Sequence, residues 1–535
     1  MNFPRLIRTL RYLKAQQVFA RLLSRVRPIR FRAKCSVSER VVSFPWTDPV
    51  EKQTSMTGPT QFMLVNQQVQ TRTGSDWNDG CIDKLLLYNL HYFDDLNAET
   101  APERLGWHRE LIERWIDDNP APDGNGWEPY PLSLRIVNWI KWQLRESALS
   151  ERALESLSIQ ATVLSQSIEY HLLANHILAN GKALCFAGCF FDGKEASRWL
   201  RRGRKILDDQ LNEQILNDGG HFELSPMYHA ILLEDILDLI NLFRSYDDDY
   251  WQTLSTLACR MLRWLQLMTH PDGGLSYFND ATTGVAPALS RLNDYASRLS
   301  VEIPAMPSGG VKLLADCGYA RYDNAALAVI IDVGKIGPDY QPGHGHCDCL
   351  SFELSHCGRR VLVNTGVSTY NANSRRSVER ATSSHNTVSI ESSEQSEIWS
   401  AFRVGRRAFP LDVKLSENSV AAGHDGYARF GVIHHREFAF GEDKLEIIDE
   451  LRHKDVDDFR GTAYFHFHPD VEVNMHDDRI GWDGMVINFL NHRKIVTSDY
   501  EYCQGFYKTA TATVVSVEFS GRLVTEIAYA NTLHR

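Results

Sequence analysis

Four short stretches of the chain concentrate the residue types that move protons and bind anions. In Leu173-Ala174-Asn175-His176-Ile177-Leu178-Ala179-Asn180, polar residues interrupt an apolar run. Asp218-Gly219-Gly220-His221-Phe222-Glu223-Leu224-Ser225-Pro226-Met227-Tyr228-His229 passes from a glycine turn into a helix. Gly343-His344-Gly345-His346-Cys347-Asp348 carries two histidines at alternate positions ahead of a strand, which puts both imidazoles on one face. Arg380-Ala381-Thr382-Ser383-Ser384-His385-Asn386-Thr387 leads into another strand. Each has an ordinary explanation taken singly: a helix cap, a tyrosine packed near a helix start, a structural histidine pair. Together they supply an acid or base (Tyr228), imidazoles (His176, His344), an amide donor (Asn175) and cations (Arg375, Arg376, Arg380).

That combination suits β-elimination from a 4-O-linked uronate. The C5 proton beside a carboxylate is weakly acidic, and its removal places charge on that carboxylate, which amide and imidazole donors can stabilise. A tyrosine or histidine takes the proton, and a tyrosine hydroxyl returns one to the departing oxygen. The chain has no Walker loop, no dinucleotide fingerprint and no Gly-x-Ser-x-Gly elbow, so no organic cofactor is expected.

These residues need a scaffold, and the sequence changes character once along its length. From 84 to 311, helical periodicity recurs with short polar turns between, as in Leu132–Leu149, Ala153–Leu173, Ala196–Leu216, Ala230–Phe243 and Trp251–Met268. From 312 to 535, short strands replace helices: Ala326–Asp332, Leu350–Leu354, Arg360–Val363, Thr387–Ile390, Glu437–Phe440, Lys444–Ile448, Ala463–Phe467 and Thr511–Phe519. Helices first and strands later predict two separate domains, a helical array followed by an antiparallel β-sandwich. Residues 1–83 are a lead-in, irregular over 40–80. The chain's 535 residues are too many for one core.

Charge separates that lead-in from the rest. Residues 1–34 contain ten of the 57 Lys and Arg and no acid, leaving 47 bases against 68 acids elsewhere. So acidic a body is a poor nucleic-acid binder. Phe3, Leu6, Ile7, Leu10 and Leu13 recur at helical spacing, predicting one basic amphipathic helix that either lies on an anionic inner-membrane surface or docks by its apolar stripe on the helical domain. Arg and Lys interrupt every apolar stretch there, so no signal-peptide core and no membrane span form, and a cytoplasmic protein is expected. The ten cysteines follow no zinc-ribbon or dense disulfide spacing, which predicts reduced thiols.

The motifs in their order resemble the heparinase II/III and oligoalginate lyase superfamily: Asn175-His176, Asp218 to His229, His344-Gly345-His346-x-Asp348-x-Leu350-Ser351-Phe352, Ser384-His385-Asn386-Thr387 and Gln395-Ser396-Glu397. The resemblance runs from about residue 85 to the C-terminus. It implies an (α/α) toroid followed by an antiparallel β-sandwich, with the site at their interface. It assigns Asn175 and His344 to neutralising the substrate carboxylate, Tyr228 to the general acid and for some linkages the base, and His176 to the base for the other C5 configuration. His229, Glu223, Arg375, Arg376 and Arg380 are expected to contact an anionic polysaccharide. It further implies a divalent metal, zinc by ligand type and structural in role, at His346 and His385. Its third position is Asn364 of Asn364-Thr365-Gly366, where the family carries aspartate, a stronger ligand; Asp348 either compensates or orients a histidine. A cytoplasmic member resembles proteins associated with bacterial capsule or O-antigen synthesis. A lyase is the leading reading; a uronyl C5-epimerase on the same fold and a silent glycan-binding protein are the alternatives.

Overall fold

The computed structural model describes residues 3–24, 29, 38–307, 309–455, 459–476 and 479–530. Its main helical part runs from Lys84–Tyr92 to Leu289–Arg298, and the strands of the C-terminal part begin with Gly310–Leu314. The helices sit where apolar spacing puts them, for example Pro129–Glu146, Lys194–Gln214, Pro226–Ser245 and Tyr250–Leu267. One expected helix ends early: Glu151–Leu164 stops well short of Leu173, and the loop released brings Glu169 under the next helix. Residues 40–80 are less irregular than expected, because Met56–Gly58, Gln61–Leu64 and Gln67–Gln70 pair as a small antiparallel sheet.

The helix Ala174–Phe190 is buried along almost its whole length. It packs closely on Lys194–Gln214 through small residues. A Cβ at Gly188 would lie 2.5 Å from the backbone nitrogen of Leu200, and one at Gly203 would lie 2.7 Å from Cys185 Sγ. Its first turn is strained: Leu173 and Ala174 hold φ of 63° and 53°, the left-handed region costly for side chains with a Cβ. Gln214 Nε2 donates to the Ala174 carbonyl at 2.9 Å and helps fix the turn. Asn175 and His176 follow directly.

The C-terminal domain is a sandwich of two antiparallel sheets. One holds Gly310–Leu314, Tyr319–Asp323, Leu327–Asp332, Phe352–His356 and Arg359–Leu362 in sequence order. The other, larger sheet is built around Val432–Phe440, Lys444–His453 and the long hairpin Met485–Cys503/Thr509–Tyr529. Val432–Phe440 alternates strictly between buried and half-buried positions, as a strand with one face on a core should. Phe352, Phe438 and Phe465 meet in that core. Part of the seam between the domains is a buried polar contact: His270 of the toroid bonds Glu353 at 2.7 Å and Ser355 at 2.8 Å, all buried.

At the start of the chain the single expected helix is two, Phe3–Leu10 (α1) and Ala15–Ser24 (α2). Gln17 Oε1 accepts the Lys14 backbone N–H at 3.0 Å, half of a capping box that starts the second helix afresh. Of the stretch 1–34, residues 1–2, 25–28 and 30–34 lie outside the described residues. Among the described residues no helix is long and apolar enough to cross a membrane, and the nine described cysteines are free.

Candidate active site

A cavity of about 1150 Å³ opens along the seam. Asn175, His176 and Tyr228 line it from the toroid, His344, Tyr370 and Phe402 from the sandwich. The four residues expected to do chemistry therefore share one space. Ser225 caps the helix Pro226–Ser245 by accepting the Tyr228 N–H, and its hydroxyl donates to the Asp280 carbonyl at 2.6 Å, which fixes where Tyr228 emerges. The Tyr228 ring lies against that of His344, tilted by 35° with centroids 4.1 Å apart, and its hydroxyl meets that of Tyr370 at 2.9 Å. Burial, with Tyr370 and Asp280 adding, pushes the Tyr228 phenol well above its usual pKa, so it enters a reaction protonated.

Two buried carboxylates hold the polar side chains. Glu223 accepts the Asn175 backbone N–H at 3.1 Å and its side-chain amide at 3.0 and 3.2 Å. An amide nitrogen has two hydrogens, so Asn175 can be held by one and offer the other to a ligand. Asp280 accepts from His344 Nδ1 at 2.7 Å and from His346 Nε2 at 2.8 Å, and the Arg376 guanidinium grips both its oxygens. Burial alone would raise the Asp280 pKa, but Arg376 and the two imidazoles hold it well below the carboxylate range. With its Nδ1 bonded to Asp280, His344 lines the cavity and places Nε2 3.7 Å from the Glu223 carboxylate. His176 rests on Glu169 through Nδ1 at 3.1 Å. Burial opposes charge on this imidazole, and Glu169 with Glu223 overcomes it, raising the His176 pKa.

The expected substrate contacts are corrected. None of Glu223, His229, Arg375, Arg376 and Arg380 lines the cavity. Glu223 positions Asn175. His229 is buried against Trp264 at 4.3 Å, bonded to the Met261 carbonyl and the His221 N–H, and burial pushes its pKa down to about 3. Arg375 pairs with Glu379 and Glu501, Arg376 with Asp280, and Arg380 donates to the carbonyls of Gly345 and Ala401. A stretch dense in arginine reads as an anion site, yet here it ties the helix Ser374–Glu379 and its C-cap to their surroundings.

Residues 110–301 match the family described as heparinase II/III N-terminus, and residues 306–528 match heparinase II/III-like, C-terminal. The chain belongs to the heparinase II/III-like family. It is 24% identical over 277 residues to a heparin-sulfate lyase of Bacteroides stercoris, covering 46% of this chain and 40% of that one. It is also 24% identical over 430 residues to FtsZ-localized protein C of Caulobacter vibrioides, 73% and 70% of the two chains. The chain spans about half the length, or less, of the lyases that it matches. A crystal structure of heparinase III superposes with a TM-score of 0.68 at 18% identity, over 85% of this chain and 79% of that one, a likeness of fold.

In this heparinase II/III-like chain the positions implied for a metal do converge. The rings of His346 and His385 lie 5.2 Å apart, and Asn364 Oδ1 is 3.1 Å from His385 Nδ1. His346 Nδ1, His385 Nε2 and Asn364 Nδ2 are buried without a hydrogen-bond partner. Burial keeps both imidazoles neutral, with the His346 pKa pushed down to about 4. The donor set nevertheless falls short of a closed zinc site, which takes four ligands. The Asn364 oxygen is engaged on the far nitrogen of His385, Asp280 holds the other nitrogen of His346, and Asp348 accepts the Asn279 N–H instead of a histidine. Among the described residues no three of His, Cys, Asp or Glu are grouped to share a metal. These residues do not fit a resident structural zinc.

Sequence reasoning missed Glu169, Asp280 and Tyr370. A repeat could have revealed Asp280. Asp218-Gly219-Gly220 follows one helix and closes with an Ile215–His221 bridge before delivering Glu223; Asp272-Gly273-Gly274 follows another, closes with Thr269–Leu275 and delivers Asp280.

Proposed function

We propose that this chain is a polysaccharide lyase that cleaves a uronate-containing glycan by β-elimination, with Tyr228 as general acid, His176 as base and Asn175 with His344 neutralising the uronate carboxylate. The observation that carries the reading is the convergence of these four side chains on one cavity, each backed by a partner: the half-buried Tyr370 and the buried Glu169, Glu223 and Asp280. A phenol raised in pKa is a donor suited to the leaving 4-O oxygen. His176 abstracts the C5 proton once deprotonated, and Glu169 stabilises the imidazolium formed. Family membership and the likeness to heparin-sulfate lyases support the same class.

The cavity also favours a glycan of low charge density. Every lysine and arginine that lines it is already paired: Lys52 with Glu234, Lys84 with Glu128, Lys141 and Lys182 with Asp238, Arg291 with Glu99. A sulfated chain would meet neutralised cations and the carboxylate of Asp235 beside them. The deciding experiment incubates the protein with candidate uronates and follows absorbance of the 4,5-unsaturated product together with C5 proton exchange. Unsaturated product establishes the lyase; exchange without it would replace this reading by a C5-epimerase. A glycan binder without turnover is the remaining alternative. Binding with neither product nor exchange would identify it.

A further inference from the structure

We infer that α1 and α2 form a membrane-surface strap that seats the rim of the cavity on an anionic lipid leaflet. The two helices dock in an unexpected sense, polar face inward. Arg5 and Arg8 converge on Glu397, with Arg8 bonding both carboxylate oxygens at 2.7 Å and drawing the Glu397 pKa down to about 2. Thr9 accepts the Trp399 indole N–H at 3.1 Å, Arg407 stacks on Tyr12 at 3.7 Å, Lys14 pairs with Glu213 over the Tyr340 ring, and buried Gln17 donates to the Leu172 carbonyl. Most of the apolar residues are left outside, Leu6 and Leu13 being half-buried. Phe3 is 68% exposed, Phe19 69%, and Ile7, Leu10, Val18, Leu22 and Leu23 are exposed with them.

An outward apolar face needs an occupant, and charge selects it. No acid occurs before Glu39, whereas Arg11 and Arg21 are exposed beside the apolar residues, and the sequence adds Arg25, Arg27, Arg30, Arg32 and Lys34. Apposing two copies of this face would bring like charges together with no counter-charge. Anionic headgroups over acyl chains complement both features, and helices of 8 and 10 residues lie in the interface instead of spanning it. The strap's anchorage gives this contact a consequence. The hairpin that carries Glu397 and Trp399 also carries Phe402, and Phe402 and Leu172 both line the cavity. Lipid contact therefore brings the mouth near the leaflet, where it suits a membrane-tethered glycan; this last step rests on the lyase reading, whereas the binding itself does not.

The test is sedimentation of the full chain with phosphatidylcholine vesicles, with and without phosphatidylglycerol. Partition onto the phosphatidylglycerol vesicles that weakens with salt is expected. The triple variant Phe3→Ser, Phe19→Ser, Leu22→Ser should lose at least about tenfold in partition, because three large apolar side chains leave the interface, with melting and turnover of soluble fragments unchanged. A chain that stays in solution with both vesicle types, or a variant that sediments as the wild type does, overturns the strap. So does a wild-type dimer that ignores vesicles and becomes monomeric in the variant. Turnover of a lipid-anchored glycan at the same rate as the free one, with vesicle binding intact, removes the orientation. No turnover of either counts against the lyase reading and leaves the vesicle result standing.

Discussion

His346 belongs to two buried clusters that differ sharply. On its Nε2 side lies Asp280, where Arg376, His344 and His346 together satisfy one carboxylate. On its Nδ1 side lie His385 and Asn364, where three buried polar atoms have no partner. A satisfied buried network fixes geometry, because moving any member strands a charge in low dielectric. An unsatisfied one costs free energy and fixes little. The first cluster holds His344 in the cavity wall. The second has the placement of a metal centre without its third strong ligand.

The strongest challenge to this contrast is Asp280→Asn. It removes the charge that Arg376 and His344 depend on, leaving Arg376 buried and unpaired, at an expected cost of about 3–5 kcal/mol in urea unfolding. Catalytically the variant should lower kcat more than it raises KM, since His344 is misaimed while the cavity persists. A loss below about 1 kcal/mol would mean that the cluster holds nothing in place. Next in size is Tyr228→Phe, expected to leave melting unchanged and to lower turnover at least about a hundredfold, the usual worth of a positioned acid. Near-normal turnover in a folded variant removes Tyr228 from the mechanism.

Smaller but more diagnostic is the pH profile. His176 acts as base only when neutral, and its pKa is raised by Glu169, so kcat should climb with pH through that raised value. Glu169→Gln removes the charge responsible, and the rising limb should move to lower pH. A limb that stays in place assigns the base elsewhere.

The two clusters were unequally legible in the sequence. Apolar spacing and glycine turns located most helices and strands, because burial enforces periodicity wherever an element has one face on a core. Asn175, His176, Tyr228 and His344 were legible because each interrupts or ends such a run. Asp280 lies more than sixty residues from His344 and ninety-six from Arg376, so no local pattern could reveal that it binds both. The same blindness turned Arg375, Arg376 and Arg380 into apparent substrate ligands: type and clustering were visible, partners were not. For α1, periodicity established two faces, but which one docks depended on Glu397, almost four hundred residues away.

Comparison of glycans tests the paired cations of the cavity. A uronate polymer without sulfate should exceed its heavily sulfated counterpart in kcat/KM by at least about tenfold, since apposed like charges are costly. Equal values would mean that the Lys141, Lys182 and Asp238 pairs open to receive sulfate.

The smallest effect addresses the unsatisfied cluster. Asn364→Asp supplies a carboxylate beside His385 and His346, giving three protein ligands, a set that binds zinc with water in the fourth position. The wild-type protein, purified without chelator, should contain zinc well below one equivalent by elemental analysis, and the variant should approach one. Because the ion binds the folded state, free zinc at about a hundred times Kd should stabilise the variant by about 2.7 kcal/mol and raise its melting temperature, with no comparable shift in the wild type. The Asp280 cluster shares His346 only through Nε2, so turnover should change little on loading. Stoichiometric zinc in the wild type would show that the amide suffices as a ligand, and the contrast between the two sides of His346 would then collapse into one connected site.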